Sequence, residues 1–306
     1  MALFYIQLNM RNNKLIKVSK KAYAVLIRKN PLQMSGATAF FATFALPCIL
    51  LILVQTIGLF YNPDNLQQGI FAQLADVLGS GGSEKVYRIF SGFRKAEYNW
   101  IIGGGGFIFM LFVVTTLFNV VRNSVNELWN IKVKPNAGAA FYFKLRIKSL
   151  IVIFFAGIIL TIQLLASALH GLLKDYITEL WGGSHSFLNR LISQLIFAII
   201  STGWFTVLFK YLANAHPNWK TALTGGIFTG ILFTIGKILI GLLLSVSVLE
   251  PIFGEAGSFV LVLLFVFYSS FIFYYGAAFT KAWNDESRMK MLLEEDVYIY
   301  NVKQAD

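Results

Sequence analysis

Six long apolar stretches constrain this chain more than any other feature of its sequence. A helix of about 20 apolar residues crosses the roughly 30 Å hydrocarbon layer of a membrane, and each stretch is at least that long. Of the 306 residues, 57% are hydrophobic and only 13% are charged, whereas soluble domains have about 25% charged residues. The sequence therefore predicts an all-α, polytopic membrane protein with six transmembrane helices, at about residues 36–60, 101–121, 149–170, 191–212, 222–246 and 256–280.

Polar segments flank the predicted transmembrane domain, which covers residues 36–280. Residues 1–35 form a basic segment, and residues 281–306 form a tail of mixed charge that we expect to be a short amphipathic helix with a frayed end. Residues 61–100 show two helical patterns separated by glycines, which predict a helical hairpin outside the bilayer.

The N-terminal segment has the pattern of an amphipathic helix. Basic residues fall on the side opposite to the apolar ones, as in a helix that lies on an anionic membrane surface. A solvated basic helix that leads into the first span is the alternative. The apolar side carries Leu15, Ile16, Ala22, Tyr23, Leu26 and Ile27, and the basic side carries Lys14, Lys17, Lys21 and Arg28.

The distribution of positive charge predicts the orientation. Of the 26 lysines and arginines, 19 fall on the side of the two termini, six on the opposite side, and Lys237 lies within a span. Because cytoplasmic loops are rich in these residues, we expect both termini in the cytoplasm, and the net charge of +11 requires no nucleic acid partner. Five tryptophans fall near span ends, as in aromatic belts, whereas Trp204 is mid-span.

Lys237 is the least expected residue in the fifth span. At about 100° per residue it shares a face with small residues, which allow a neighbouring helix to approach closely. A lysine in hydrocarbon costs about 2.5 to 3.5 kcal/mol, so it should face protein or water. The glycines predicted to pack on that face are Gly226, Gly230 and Gly241.

Polar residues of other spans fall at a similar depth to Lys237. With the orientation above, Gln55, Gln163 and Gln194 all lie in the outer half of their spans. We therefore expect an outward-facing polar pocket in which Lys237 attracts an anion and the glutamines are hydrogen-bond partners. A purely structural buried network, pairing of the lysine with Glu250 or Glu255, and extension of the lysine toward the interface are the alternatives.

The sequence contains no constellation that points to an enzyme. His170, His185 and His216 have no second histidine, cysteine or carboxylate at ligand spacing, so neither a metal site nor a metal-dependent nuclease is predicted. The glycine run 103–106 opens a span rather than following a strand, which argues against a phosphate-binding loop. No cofactor is predicted, and the single cysteine, Cys48, excludes an intramolecular disulfide.

Several short motifs, in order over about residues 36–280, resemble the YihY/BrkB family of bacterial inner-membrane proteins, once mislabelled as a ribonuclease BN. The best match is YLANAHPNWKTALTGGIFTGILFTIGKILIG at residues 211–241. The resemblance implies six helices, a location in the bacterial inner membrane, and a lysine at the position of Lys237. Ala278 stands where the family has a glutamate, so no role of that carboxylate transfers. The other motifs are Ala37 and Ala39 with Leu46-Pro47, Asn126 to Trp129, Lys144 to Leu150, Gly254 and Gly257, and Gly276-Ala277.

Two functions are expected from these observations. As a transporter or flippase, the protein would take a small anionic solute or a lipid into the pocket around Lys237. As a structural or envelope-assembly protein, it would use the hairpin at 61–100 to bind a partner. Membrane lipids, anionic at the cytoplasmic face, are the other expected partners, and the sequence does not predict an oligomeric state.

Overall fold

The computed structural model describes residues 2–58, 100–136, 186–245 and 257–300, together with scattered helical positions between 68 and 91 and between 138 and 162. Within these ranges, side chains are described from Lys14 onward, except at 51–58, 186–190, 240–245, 257–259 and 261 and at most positions of 100–110. Gln55 and Gly241 are therefore described only as helical backbone, and Gln163, Glu250 and Glu255 lie outside the described residues.

The fold is a bundle of long helices. The elements in chain order are α1 (Ala2–Arg28), α2 (Pro31–Gly58), α3 (Trp100–Leu128), β1 (Ile131–Val133), α4 (Ser186–Tyr211), β2 (Ala215–His216), α5 (Trp219–Ser245), α6 (Gly257–Glu286), β3 (Leu292–Leu293) and β4 (Val297–Ile299).

Four helices in the described part of the chain are long and apolar enough to cross a membrane. Large apolar side chains on their outer faces are exposed, for example Ile199 of α4, Ile231 of α5 and Leu264 of α6. Such exposure is expected where lipid rather than water surrounds a bundle. The four apolar segments are Pro31–Leu50, Leu191–Tyr211, Trp219–Leu239 and Val262–Glu286.

Helix α6 lies at the centre of the bundle. It packs against α1, α2, α3 and α5, while α4 packs mainly against α5. Its last half is rich in small and aromatic residues, and Tyr274, Ala277 and Ala278 are at most 1% exposed. Small side chains at Ala277 and Ala278 let neighbouring helices approach on several sides at once.

The apolar stripe of α1 is divided between two environments. Val18, Ala22 and Leu26 are buried and belong to the core that α6 helps to form. Ile16 and Tyr23, by contrast, are more than half exposed. Helix α1 is therefore tied to the bundle along one side and keeps a second apolar side free.

The described parts of 68–91 are helical and pack on the bundle. Phe71 contacts the rings of Tyr87 and Phe90, with centroids 5.1 and 5.4 Å apart. Ile70, Val86 and Phe90 are buried in one cluster with side chains of α2 and α3. The glycine-containing segment at 80–82, which separates the two predicted helices, lies outside the described residues.

The prediction of a helical tail is wrong between residues 287 and 300. Helix α6 ends at Glu286, Arg288 and Asp296 have positive φ angles of 50° and 63°, and two short strands follow. β4 pairs antiparallel with β1, and β3 pairs antiparallel with β2. The backbone hydrogen bonds of these pairs, which no local pattern reveals, override the helical periodicity of the tail. We call this end of the bundle the strand end.

Candidate functional site

Helices α4 and α5 form an antiparallel pair with very close backbones. A Cβ atom at Gly226 would stand 2.8 Å from the carbonyl oxygen of Thr202 and 2.9 Å from the nitrogen of Thr206. At Gly230 it would stand 2.5 Å from Thr202 Oγ1. Real Cβ atoms essentially never stand closer than 3.0 Å to another heavy atom, so the two helices touch at both glycines.

Helix α5 is also packed closely against α6. A Cβ atom at Gly236 would stand 2.6 Å from the Tyr268 hydroxyl, and one at Gly276 would stand 2.9 Å from Thr229 Cβ. Helix α5 therefore has two small-residue faces, of which the sequence analysis recognised only the one with Gly226 and Gly230. The position of the helix between its neighbours is fixed from both sides.

Lys237 lies on α5 about two turns beyond Gly230. Its Nζ is 4.0 Å from the ring centroid of Phe197 on α4, and the residue is partly buried. Phe197 in turn stacks on Phe233, with centroids 5.9 Å apart. A cation over an aromatic face is stabilised more strongly when both are removed from water. The lysine therefore lies against α4, in contact with an aromatic column.

Gln194 lies on α4 one helical turn from Phe197, at the end of the pair where Lys237 is found. Its Oε1 is buried, and no hydrogen-bond partner for it is found among the described residues. A buried amide oxygen without a partner costs about 1 to 3 kcal/mol. Of the four predicted pocket residues, the structure thus places two, Lys237 and Gln194, near the same end of the α4 and α5 pair.

A cavity of about 280 Å³ lies in the bundle between this end and the strand end. Side chains from α2 to α6 line it, and they include neither Lys237 nor Gln194. Trp204, the mid-span tryptophan of the sequence, is part of its wall, which was the one signal for this cavity. The lining residues are Thr38, Ala42, Leu117, Phe118, Val121, Ser201, Trp204, Phe205, Leu208, Leu212, Phe233, Val266, Ser269, Ser270 and Phe273.

The few polar groups of the cavity wall differ in their hydrogen bonding. The Thr38 hydroxyl is 2.5 Å from the Tyr274 hydroxyl, and Ser270 donates to the carbonyl of Val266 at 2.7 Å. Ser269 Oγ is buried with no partner in the described part of the chain. The wall is thus mostly apolar, and the Ser269 hydroxyl is a polar group in it that a ligand can contact.

The strand end contains a second polar site, built around Arg122 of α3. This side chain is 1% exposed and donates to the carbonyls of Leu212 at 3.2 Å and Leu145 at 3.0 Å. Asn126 Oδ1 accepts from the backbone nitrogen of Asn214 at 3.0 Å. These bonds join the end of α3 to the loop between α4 and α5.

Glu294 of the tail completes this polar site. It accepts a hydrogen bond from Lys148 Nζ and lies 3.3 Å from His216 Nε2. Burial acts to raise the pKa of Glu294, but hydrogen bonds and positive charge from His216 and Lys148 outweigh it and lower the pKa to about 2. Burial also lowers the pKa of Lys148. The carboxylate is therefore ionised at neutral pH and attaches the tail to the bundle.

Sequence reasoning missed the strand-end site because its members are far apart in the chain. His216 has no carboxylate at ligand spacing in sequence, yet Glu294 lies beside it in the fold. Lys148 and Glu294 are 146 residues apart. Among the residues the structure describes, no group of three or more histidine, cysteine, aspartate or glutamate side chains is placed to hold a metal ion.

The motifs behind the family resemblance converge at the strand end. Trp129 is fully buried and its Nε1 donates to the carbonyl of Ala277 at 2.9 Å. Asn126 belongs to the same motif as Trp129, Lys148 and Asn214 belong to two others, and all three take part in hydrogen bonds at this end. These motifs therefore hold α3, α6 and the loop after α4 in place.

Comparisons with known proteins agree with the fold. The chain is 23% identical over 266 residues to a UPF0761 membrane protein of Pseudomonas aeruginosa, covering 84% of this chain and 61% of the relative. A UPF0761 membrane protein of Pseudomonas paraeruginosa is 24% identical over 244 residues, covering 78% of this chain and 55% of the relative. The chain thus spans about three fifths of the length of these relatives. No solved structure matches it.

The family comparison covers almost the whole described bundle. The profile of the family described as "Virulence factor BrkB" matches residues 22–295, from α1 to the strand that follows α6. Neither that description nor the names of the relatives states an enzymatic activity. The chain is therefore an integral membrane protein that belongs to the BrkB family.

Proposed function

We propose that this protein is a multi-pass transporter or flippase of the bacterial inner membrane that takes an anionic solute or lipid into an outward-facing pocket around Lys237. The observation that carries the proposal is the pair of groups at one end of α4 and α5. Lys237 supplies a positive charge against Phe197, and Gln194 Oε1 has no partner among the described residues. An anion that carries a hydrogen-bond donor would attract the lysine ammonium and donate to the amide oxygen of Gln194. Gln55 and Gln163 are proposed to complete the pocket.

The proposed orientation has six spans and both termini in the cytoplasm. It rests on the excess of lysine and arginine on the side of the termini. The free side of α1 supports it, because exposed Ile16 and Tyr23 lie next to exposed Lys17, Lys20 and Lys21. A helix with this surface binds anionic lipid by inserting its apolar residues between headgroups. We propose that α1 rests on the cytoplasmic leaflet in this way.

Lys237→Met tests the proposal most simply in liposomes that contain the purified protein. Flux of a labelled anion, or flipping of a labelled anionic lipid, is expected to fall at least tenfold, while the protein stays folded and abundant. Ile238→Met is the matched control, since Ile238 is exposed on the same helix turn and contacts lipid in the proposed arrangement. It should transport as the wild type does.

Two results would contradict the proposal. Normal flux in Lys237→Met would show that the lysine does not take part in transport. Loss of the folded protein in Lys237→Met and in Lys237→Arg alike would instead assign the lysine to a structural network. The envelope-assembly function would then be favoured.

A further inference from the structure

We infer that the cavity between α2 and α6 holds the hydrocarbon chain of an amphiphile whose anionic group binds at Lys237. This inference rests on the proposed function and names its substrate class, a long-chain anion rather than a small water-soluble one. Three features of the described residues carry it: the chemistry of the cavity wall, the aromatic column that leads to Lys237, and the available hydroxyl of Ser269.

The cavity suits a hydrocarbon chain in both size and lining. Its volume of about 280 Å³ has room for a stretch of hydrocarbon chain, since an apolar site of about 150 Å³ already holds benzene. The hydroxyls of Thr38 and Ser270 already have hydrogen-bond partners, so few polar groups of the wall remain for water, which needs two to four partners in a buried site. Phenylalanine, leucine and valine side chains make up most of the wall, so burial of methylene groups there is favourable.

The aromatic column connects the cavity with Lys237. Phe233 and Phe205 line the cavity and contact each other, with centroids 5.4 Å apart. Phe233 also stacks on Phe197, and the Lys237 ammonium group lies over the Phe197 ring. Phe233 and Lys237 are four residues apart, or about 6 Å along the helix. A single ligand can therefore place its anionic group at the lysine and its chain along Phe233 into the cavity.

Ser269 gives the cavity one point of polar recognition. Its Oγ is buried and lacks a partner in the described part of the chain, whereas the neighbouring Ser270 bonds its own helix. A hydroxyl in this position donates to an oxygen of the ligand if the chain carries one. A ligand with a carbonyl or ether oxygen along its chain would thus be held more tightly than a plain alkyl chain.

Photolabelling tests whether a chain enters the cavity. The purified protein in nanodiscs of neutral phosphatidylcholine would be irradiated with hexadecanoate that carries a diazirine at mid-chain, and the labelled residues identified by mass spectrometry. We expect labelling of Trp204 and Phe273 in the cavity wall, beyond that of the lipid-facing Ile199. Excess acetate should not reduce it. Labelling of Trp204 no greater than that of Ile199 would overturn the inference.

Filling the cavity gives the matched comparison. Ser269→Phe places a ring in the cavity, whereas Leu264→Phe places one on the exposed side of the same helix. Displacing even two methylene groups corresponds to about tenfold weaker binding. We therefore expect Trp204 labelling to fall about tenfold in Ser269→Phe and to be unchanged in Leu264→Phe. Equal labelling in both variants would contradict the inference. Ala42→Leu, on the α2 part of the wall, replaces Ser269→Phe if that variant does not fold.

Lys237→Met separates this inference from the proposed function. If the variant loses transport but the wild-type cavity is not labelled, the proposed function stands and the inference fails. A second outcome is that the wild-type cavity is labelled and that Lys237→Met equals the wild type in both labelling and transport. In that case the proposed function fails, and so does the proposed binding of the anionic group at Lys237. Loss of both transport and cavity labelling in the variant supports the two together.

Discussion

At the scale of single residues, the position of a polar side chain within an apolar span can be recognised from the sequence, whereas its partners in the fold cannot. Lys237 is recognisable in the sequence because a charged side chain in an apolar helix must contact protein or water. In the structure the aromatic ring of Phe197 lies against it. Glu294 could not be singled out, since it lies in a tail of mixed charge and its partners, Lys148 and His216, come from distant parts of the chain. Such pairings are fixed by tertiary structure alone.

Glu294→Gln is expected to destabilise the protein in a pH-dependent way. The folded state holds the pKa of Glu294 at about 2, below the ordinary 4.5, so its contribution is fully present above pH 4.5 and is lost as the pH falls toward 2. At neutral pH the variant should lose about 2 to 3 kcal/mol of unfolding free energy. Chemical unfolding in a nonionic detergent measures it.

The neighbouring exposed Glu295 provides the control for this prediction. Glu295→Gln should unfold like the wild type, within about 0.5 kcal/mol at every pH. A difference between wild type and Glu294→Gln that stays constant from pH 7 to pH 2.5 would show that the ionised carboxylate is not what attaches the tail.

At the scale of elements, close packing of α5 is the dominant feature. The sequence predicted a small-residue face on this helix, and the structure places Gly226 and Gly230 against α4. The second face, toward α6, could not be predicted from the sequence. The contact between Gly236 and Tyr268 depends on how α5 and α6 pack in the folded protein. The strands of the tail were not predictable for the same reason, because β3 and β4 form by pairing with β2 and β1, which are distant in the sequence.

Gly226→Ala should push α4 and α5 apart. The added methyl group would meet backbone atoms of Thr202 and Thr206, which cannot rotate away as a side chain can. Overpacking of this kind typically costs about 1 to 3 kcal/mol, and we expect a lower thermal unfolding midpoint in detergent. Gly203→Ala on α4 is the control, because nothing lies within 4 Å of its added methyl group. An equal midpoint in the two variants would refute the close contact.

At the scale of the whole molecule, composition determined the class and tertiary packing determined the rest. Long apolar segments suffice to predict a membrane protein, and four such helices stand in the described residues, while the count of six remains a prediction. The central position of α6 and the cavity beside it were not predictable, since periodicity within one helix does not reveal which neighbours surround it. Only the mid-span position of Trp204 pointed toward the cavity.

The most direct test of the central claim is an experimental structure of the protein in a lipid nanodisc with a long-chain anion brominated at mid-chain. We expect bromine density in the cavity beside Phe233 and Ser269, with the anionic group of the same molecule within hydrogen-bonding distance of Lys237 Nζ. Bromine density confined to the outer, lipid-facing surfaces of the helices, with the cavity and Lys237 free of ligand, would contradict it.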